Sequence, residues 1–395
     1  MLTQWLQAGN NGVRSLASDV RTLSLNVLAA TGFKSPQKFN DIGSYREALG
    51  VILENALFMM LVPSRVMSWP IVPRSWARIG QAMHDYKKHM LHALEAEKES
   101  ILLGKPEAGG LISSLIRASE DAPSRMKAGN PSSNSEHSAR ATPLTNSEIL
   151  GNWFVMNVAG HDTTANTLAY GILFLAANRD VQDWVFEEIR EILSHERHET
   201  WGYDDSFPRL KRCQAFMVFE TLRLFSTITE IPKGTGAVSQ TLNVKDRVMV
   251  IPPRTAVLPS LLATHRHPKY WGADSSTWRP SRWISTSSSS PISATRVPDI
   301  RARLETEFLI QPVKGSYFPW AEGARFCPGK KFSLVEFVAV LARLFGSCTV
   351  RPVLEAGEDL DHAERRLVSL IEDSCQGLLM HIREPEKAAL AWERR

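Results

Sequence analysis

Residues 318–332 read FPWAEGARFCPGKKF, with Gly323 and Gly329 flanking Cys327. Directly afterwards Leu334, Val335, Phe337, Val338, Leu341 and Leu344 trace one face of a helix. The spacing puts this thiol on a glycine-bearing loop at a helix N-terminus, where free backbone N–H groups and the helix dipole favour a thiolate. With no His or Cys spaced nearby, Cys327 cannot build a zinc site. It can supply the single axial ligand of a haem iron. Cys213, Cys348 and Cys375 stand alone and read as small buried hydrophobes. The four cysteines form no CxxC pair, which points to free thiols in a reducing compartment, not to a disulfide or zinc scaffold.

A second chemistry-bearing segment is Ala159-Gly160-His161-Asp162-Thr163-Thr164, inside a helical pattern over about 146–178. Gly160 weakens the helix and Thr163 can bond its own backbone, so a local opening there would leave room for dioxygen. An acid beside an alcohol can relay protons. A third is Glu220-Thr221-Leu222-Arg223, an i,i+3 charge pair on a helix over about 210–225. Alone it is the pattern of an ordinary solvated ion pair.

The cysteine loop resembles the haem loop of the cytochrome P450 family, aromatic-x-x-Gly-x-Arg-x-Cys-x-Gly, with Trp320, Gly323, Arg325, Cys327 and Gly329 in register. The usual aromatic is Phe; Trp320 keeps a flat ring and adds an indole N–H able to donate to the sulfur. The resemblance implies heme b (iron protoporphyrin IX) with Cys327 as the axial ligand of its iron. It also implies cationic partners for the two propionates, at Arg325 and at Lys233, which follows Arg223 by ten residues. Asp162 and Thr163 match the family's proton-relaying pair. Trp278-Arg279-Pro280-Ser281-Arg282-Trp283 is similar to a segment whose arginine, here Arg282, joins Glu220 and Arg223 in a buried network behind the haem. His265 lies in a familiar stretch and reads equally as a packing histidine. Lys330 and Lys331 would meet an acidic electron donor, or simply begin a solvated helix.

The elements that must position these groups are mostly helical. Ile79, Met83, Tyr86, Met90 and Leu94 recur at three or four residues over 78–97, as do Val181, Trp184, Val185, Ile189 and Ile192 over 181–193. Strand-like wording is confined to short pieces such as 247–251. Ser/Asn/Pro-rich residues 119–145 and serine-rich residues 285–291 read as mobile surface loops. The expected fold is mainly α with a minor β part, a cytochrome P450 fold in a single domain over 1–395.

In 395 residues, 46 Lys+Arg against 42 Asp+Glu leave a formal charge of +4, too small and too dispersed for a nucleic-acid partner. No stretch reaches 18 consecutive apolar residues, so no membrane span is expected. The resemblance covers about 13–382 and is closest to eukaryotic microsomal and fungal members. Family chains are longer at the N-terminus, with an anchor, early strands and a Trp-x-x-x-Arg pair, whereas Trp5 is followed at the fourth position by Gly9. The chain is therefore expected to lack the N-terminal part, to hold haem weakly and to turn over poorly. Family members typically reside at the endoplasmic reticulum membrane; without an anchor, the expected location is cytoplasmic or peripheral.

The function implied is a monooxygenase that takes electrons from an NADPH-cytochrome reductase and inserts one atom of O2 into a small apolar organic substrate, in secondary metabolism. One alternative is a reductase-independent haem-thiolate rearrangement enzyme, against which Asp162 and Thr163 argue. The other is a truncated, non-catalytic haem-binding or inactive protein.

Overall fold

The computed structural model describes residues 1–32, 42–62, 64–67, 69, 72–104, 110–128, 143–193, 201–287 and 299–395. These form two compact units, Arg21–Asp162 and Met1–Val20 with Thr163–Arg395, where the sequence suggests one domain.

In the Arg21–Asp162 unit, the helix Arg74–Leu102 begins after Pro73, whose backbone is non-helical at φ −55°, ψ 148° and which has no N–H to extend the helix backwards. It buries Ile79, Ala82, Tyr86, Met90 and Leu94 along one stripe. The stripe packs against the helix Ile42–Glu54, whose Ala48, Leu49 and Ile52 are buried. Each Leu or Ile so buried contributes roughly 1.5–3 kcal/mol. Tyr45 and Tyr86 stack at 5.3 Å between the two helices.

The loop expected over 119–145 begins later than its composition suggests. Helix Leu111–Ala128 runs through the first ten of those residues. Ile112 and Ile116 bury its apolar face, and Ser119 Oγ donates to the Leu144 carbonyl at 2.8 Å. Packing and this tie outweigh the weak local propensity of Ser and Asp. Residues 129–142 lie outside the described residues.

In the other unit, the second half of the helix Asn146–Ala176 is buried on all sides, from Ala165 through Ala176. A helix apolar all round belongs in a core. The helix Arg179–Leu193 buries only one face, Val185, Ile189, Ile192 and Leu193. The segment expected as a plain helix over 210–225 is helical throughout Lys211–Leu224, with a π-helical middle, Gln214–Thr221. Against that middle and the Arg179–Leu193 helix packs the helix Lys330–Phe345.

The β part, among the described residues, is five two-stranded antiparallel pairs. The strand expected at 247–251 is Arg247–Ile251, paired with Gln240–Val244 so that Leu242 faces Met249 and Asn243 faces Val248. The turn residue Lys245 takes φ +51°. The serine-rich segment starts as strand, not loop: Ile284–Thr286 pairs with Glu307–Leu309, and residues 288–298 lie outside the described ones. Trp5 is buried against Trp392, ring centroids 4.8 Å apart, and its indole N–H donates to Asp19 at 2.7 Å.

Candidate functional site

The cysteine loop is closed by its own backbone. The Cys327 N–H donates to the Trp320 carbonyl at 2.8 Å, and the Phe326 N–H to Gly323 at 3.2 Å. Gly323 sits at φ +90°, where an L side chain would be strained. Gly329 precedes the Lys330–Phe345 helix, and a Cβ built on it would stand 3.7 Å from the Cys327 sulfur. Glycine therefore leaves the half-buried sulfur uncovered on that side. The expectation that Trp320 donates to the sulfur is corrected by the structure. Its indole N–H goes to Ser333 Oγ at 3.1 Å. Lys330 lies over the Trp320 ring at 5.5 Å and Lys331 over Tyr203 at 5.0 Å, both in exposed positions.

Behind the loop, Glu220 and Arg223 are fully buried and Arg282 nearly so. Glu220 Oε2 accepts from Arg223 Nε and Trp283 Nε1, each at 2.8 Å. Its Oε1 accepts from Arg223, from Arg282 Nε at 2.9 Å and from the Arg279 backbone N–H at 2.8 Å. A carboxylate so surrounded has its lone pairs filled, which makes a buried charge tolerable. Arg282 reaches on to Asp274.

His265 joins this network to the cysteine loop, a role the sequence left undecided. Its carbonyl accepts from Arg223 at 2.9 Å, while its ring Nε2 accepts from the Phe318 N–H at 3.0 Å, at the head of the loop. An acceptor at Nε2 fixes the neutral tautomer with its proton on Nδ1. Burial first, then the Arg223 charge, lower its pKa to about 4. Tyr317 adds a second tie, its hydroxyl donating to the Val218 carbonyl at 2.6 Å.

The helix Asn146–Ala176 runs unbroken through Ala159–Thr164, so the opening expected at Gly160 is not there. Gly160 serves close packing instead, since a Cβ on it would lie 3.1 Å from Leu28. Asp162 pairs with Arg21, Nε to Oδ1 at 2.9 Å. His161 is buried, its Nδ1 2.7 Å from the Asn157 carbonyl, and burial lowers its pKa. The Thr163 carbonyl accepts from Thr167 Oγ1 at 2.9 Å and faces Thr227 Oγ1 at 3.5 Å.

Arg325 and Lys233 are both exposed, Arg325 on the cysteine loop and Lys233 on the strand Lys233–Gly234. Among the described residues neither has an ion-pair partner. Nor is there, among the described residues, a group of three or more His, Cys, Asp or Glu suited to a metal ion. One accessible thiol on a glycine-cleared loop, with cations left over for carboxylates, is a donor set that fits a haem and no multi-ligand metal centre.

The chain belongs to the cytochrome P450 family, whose model matches residues 1–375 and which implies a haem-thiolate cofactor. A cytochrome P450 monooxygenase of Arthrobotrys oligospora is 27% identical over 390 residues, covering 96% of this chain and 65% of its own length. The phomenoic acid biosynthesis cluster cytochrome P450 monooxygenase of Leptosphaeria maculans is 26% identical over 84% of this chain and 55% of its own. Among solved structures, the cytochrome P450 CYP102L1 superposes with a TM-score of 0.64 at 17% identity, over 99% of this chain and 74% of that one. The chain thus spans just under two thirds of the Arthrobotrys relative and just over half of the Leptosphaeria one.

The reading of the sequence missed Arg21 and the Cys375–His381 pair. Arg21 is one of many surface-type arginines, and nothing in its neighbours marks a partner 141 residues away. Cys375 is half-buried beside His381, not the enclosed hydrophobe expected, because it lies on a two-stranded hairpin.

Proposed function

We propose that this chain is a haem-thiolate monooxygenase that inserts one oxygen atom from O2 into a small apolar organic molecule in secondary metabolism. The observation that carries the reading is Cys327, a half-buried thiol on a loop held through His265 to the buried Glu220–Arg223–Arg282 network. Heme b, when bound, supplies the activation of O2 and the oxygen transfer. Cys327 would hold its iron, and Arg325 and Lys233 would neutralise its propionates, since a carboxylate leaving water without a partner is expensive. Asp162 and the Thr163 hydroxyl would hold and pass the protons that the reaction consumes. Glu220, Arg223 and Arg282 keep the loop in place and take no part in the chemistry.

The electron donor proposed is an NADPH-cytochrome reductase, approaching the exposed Lys330 and Lys331. The secondary-metabolic role is supported by the Leptosphaeria relative, which is named for a biosynthesis cluster. No helix among the described residues is long and apolar enough to cross a membrane. We read the location as cytoplasmic or peripheral to the endoplasmic reticulum membrane. The test is spectroscopic: Cys327→Ala should abolish the red-shifted ferrous-CO band of thiolate ligation, while Cys213→Ala, Cys348→Ala and Cys375→Ala keep it. A band that survives in Cys327→Ala overturns the reading.

A further inference from the structure

The hairpin of Ser374–Gln376 and Met380–Ile382 sets Cys375 directly opposite His381. Cys375 Sγ lies 3.2 Å from His381 Nε2, and His381 Nδ1 lies 3.1 Å from the Leu379 carbonyl oxygen. A carbonyl only accepts, so the neutral ring carries its proton on Nδ1 and turns the Nε2 lone pair toward the thiol. Nucleophile, base and the group that orients the base are therefore in place on one small hairpin. Arg383, two residues beyond His381, is close enough to the sulfur to interact with it electrostatically, though its main partner is Asp373 at 3.0 Å.

The other thiols differ in kind. Cys213 and Cys348 are 0% and 1% exposed, and Cys327 is assigned to the haem. Cys375 and His381 are both partly open to solvent. The hairpin is also anchored, with Ser374 Oγ 2.7 Å from the Tyr170 hydroxyl and the Met380 N–H donating to Thr227 at 2.9 Å, so the pair is held in its geometry.

We propose that Cys375 and His381 form a reactive-thiol site, distinct from the haem loop, that undergoes exchange with small disulfides. In the step, the Cys375 S–H proton passes to His381 Nε2 while Sγ attacks one sulfur of the disulfide. A new S–S bond forms as the old one breaks, and the departing thiolate takes the proton, leaving a mixed disulfide and one free thiol.

The experiment treats the full chain, haem-loaded where it binds haem, with oxidised glutathione near neutral pH and maps adducts by peptide mass spectrometry. Cys375 should acquire glutathione about tenfold faster than any other cysteine, and dithiothreitol should remove it. His381→Gln should slow the adduct about tenfold, and Cys375→Ser should abolish it. Disruption of the hairpin by the His381 substitution would expose the sulfur and quicken the reaction, so a slower rate reports loss of the base. An unchanged or faster rate in His381→Gln, or first labelling at Cys213, Cys327 or Cys348, overturns the proposal.

Discussion

Arg21 and Asp162 form an ion pair between the helix Leu16–Gly32 and the helix Asn146–Ala176, the Arg21 side chain 46% exposed and that of Asp162 17%. A pair this open to water is worth roughly 0.2–1 kcal/mol, which is compatible with the relay proposed for Asp162. A double-mutant cycle of Arg21→Gln and Asp162→Asn, followed by urea unfolding, should give a coupling within that range that shrinks at high salt. A coupling several times larger, insensitive to salt, would mean that Asp162 is locked and cannot serve as a relay.

Thr163→Ala should leave haem binding and the ferrous-CO spectrum intact while diverting reducing equivalents from product to peroxide, because its proposed role is confined to proton delivery. The check is product formed per NADPH consumed. An unchanged ratio would exclude the role.

Glu220→Gln should lower stability by about 3–5 kcal/mol, because two buried guanidinium groups, Arg223 and Arg282, would then face a neutral amide. Asp274→Asn, on the 41% exposed side chain at the network's edge, should cost far less. Urea midpoints of the two variants would separate the buried half of the network from its rim.

His265 gives the fold an acid-sensitive point. Its pKa is about 4 in the folded protein against about 6.5 unfolded, so below pH 6.5 the unfolded chain binds the proton first. Stability should therefore fall as pH drops from about 6.5 to about 4, by an amount on the order of 3 kcal/mol, and the loss should level off below that. His161, also shifted down by burial, acts in the same direction. In His265→Gln the amide oxygen can still accept from Phe318 N–H but does not titrate, so its stability should fall less over this window. Identical pH slopes in the two proteins would contradict the assignment.

The hairpin Gln240–Val244 and Arg247–Ile251 exposes Leu242, Val244, Val248, Met249 and Val250, with Val248 at 69% and Val250 at 65%. Apolar strands open to water pair with other chains. Val248→Lys with Val250→Lys should reduce self-association, measured by light scattering across a concentration series, without changing the melting temperature by more than a few degrees.

Much of the fold was legible because its signals are local. The stripe of Ile79, Tyr86, Met90 and Leu94 repeats within one helix, so helix type and the buried face follow from periodicity alone. The cysteine loop was legible for the same reason: Gly323, Cys327 and Gly329 act through backbone geometry over a few residues. What failed was composition read as conformation. Residues 119–128 look loop-like, yet Ile112 and Ile116 bury the face of a helix that carries them along.

Contacts between distant segments leave no local signal in the residues, and the place of Arg282 beside Glu220 and Arg223 was read only through the family resemblance. Glu220 and Arg223 are written as a surface pair, and only the arrival of Arg282 and Trp283, with exclusion of water, turns them into a fully buried network. His265 acquires a role only where Arg223 and Phe318 meet it from two sides. Cys375 and His381, six residues apart, become a thiol and its base because antiparallel register sets them face to face. Sequence by itself determined which groups this protein carries and the local elements that hold them. Tertiary structure decided which groups meet and how dry each meeting is, because hydrogen-bond strength and proton affinity depend on neighbours and dielectric that folding alone assembles.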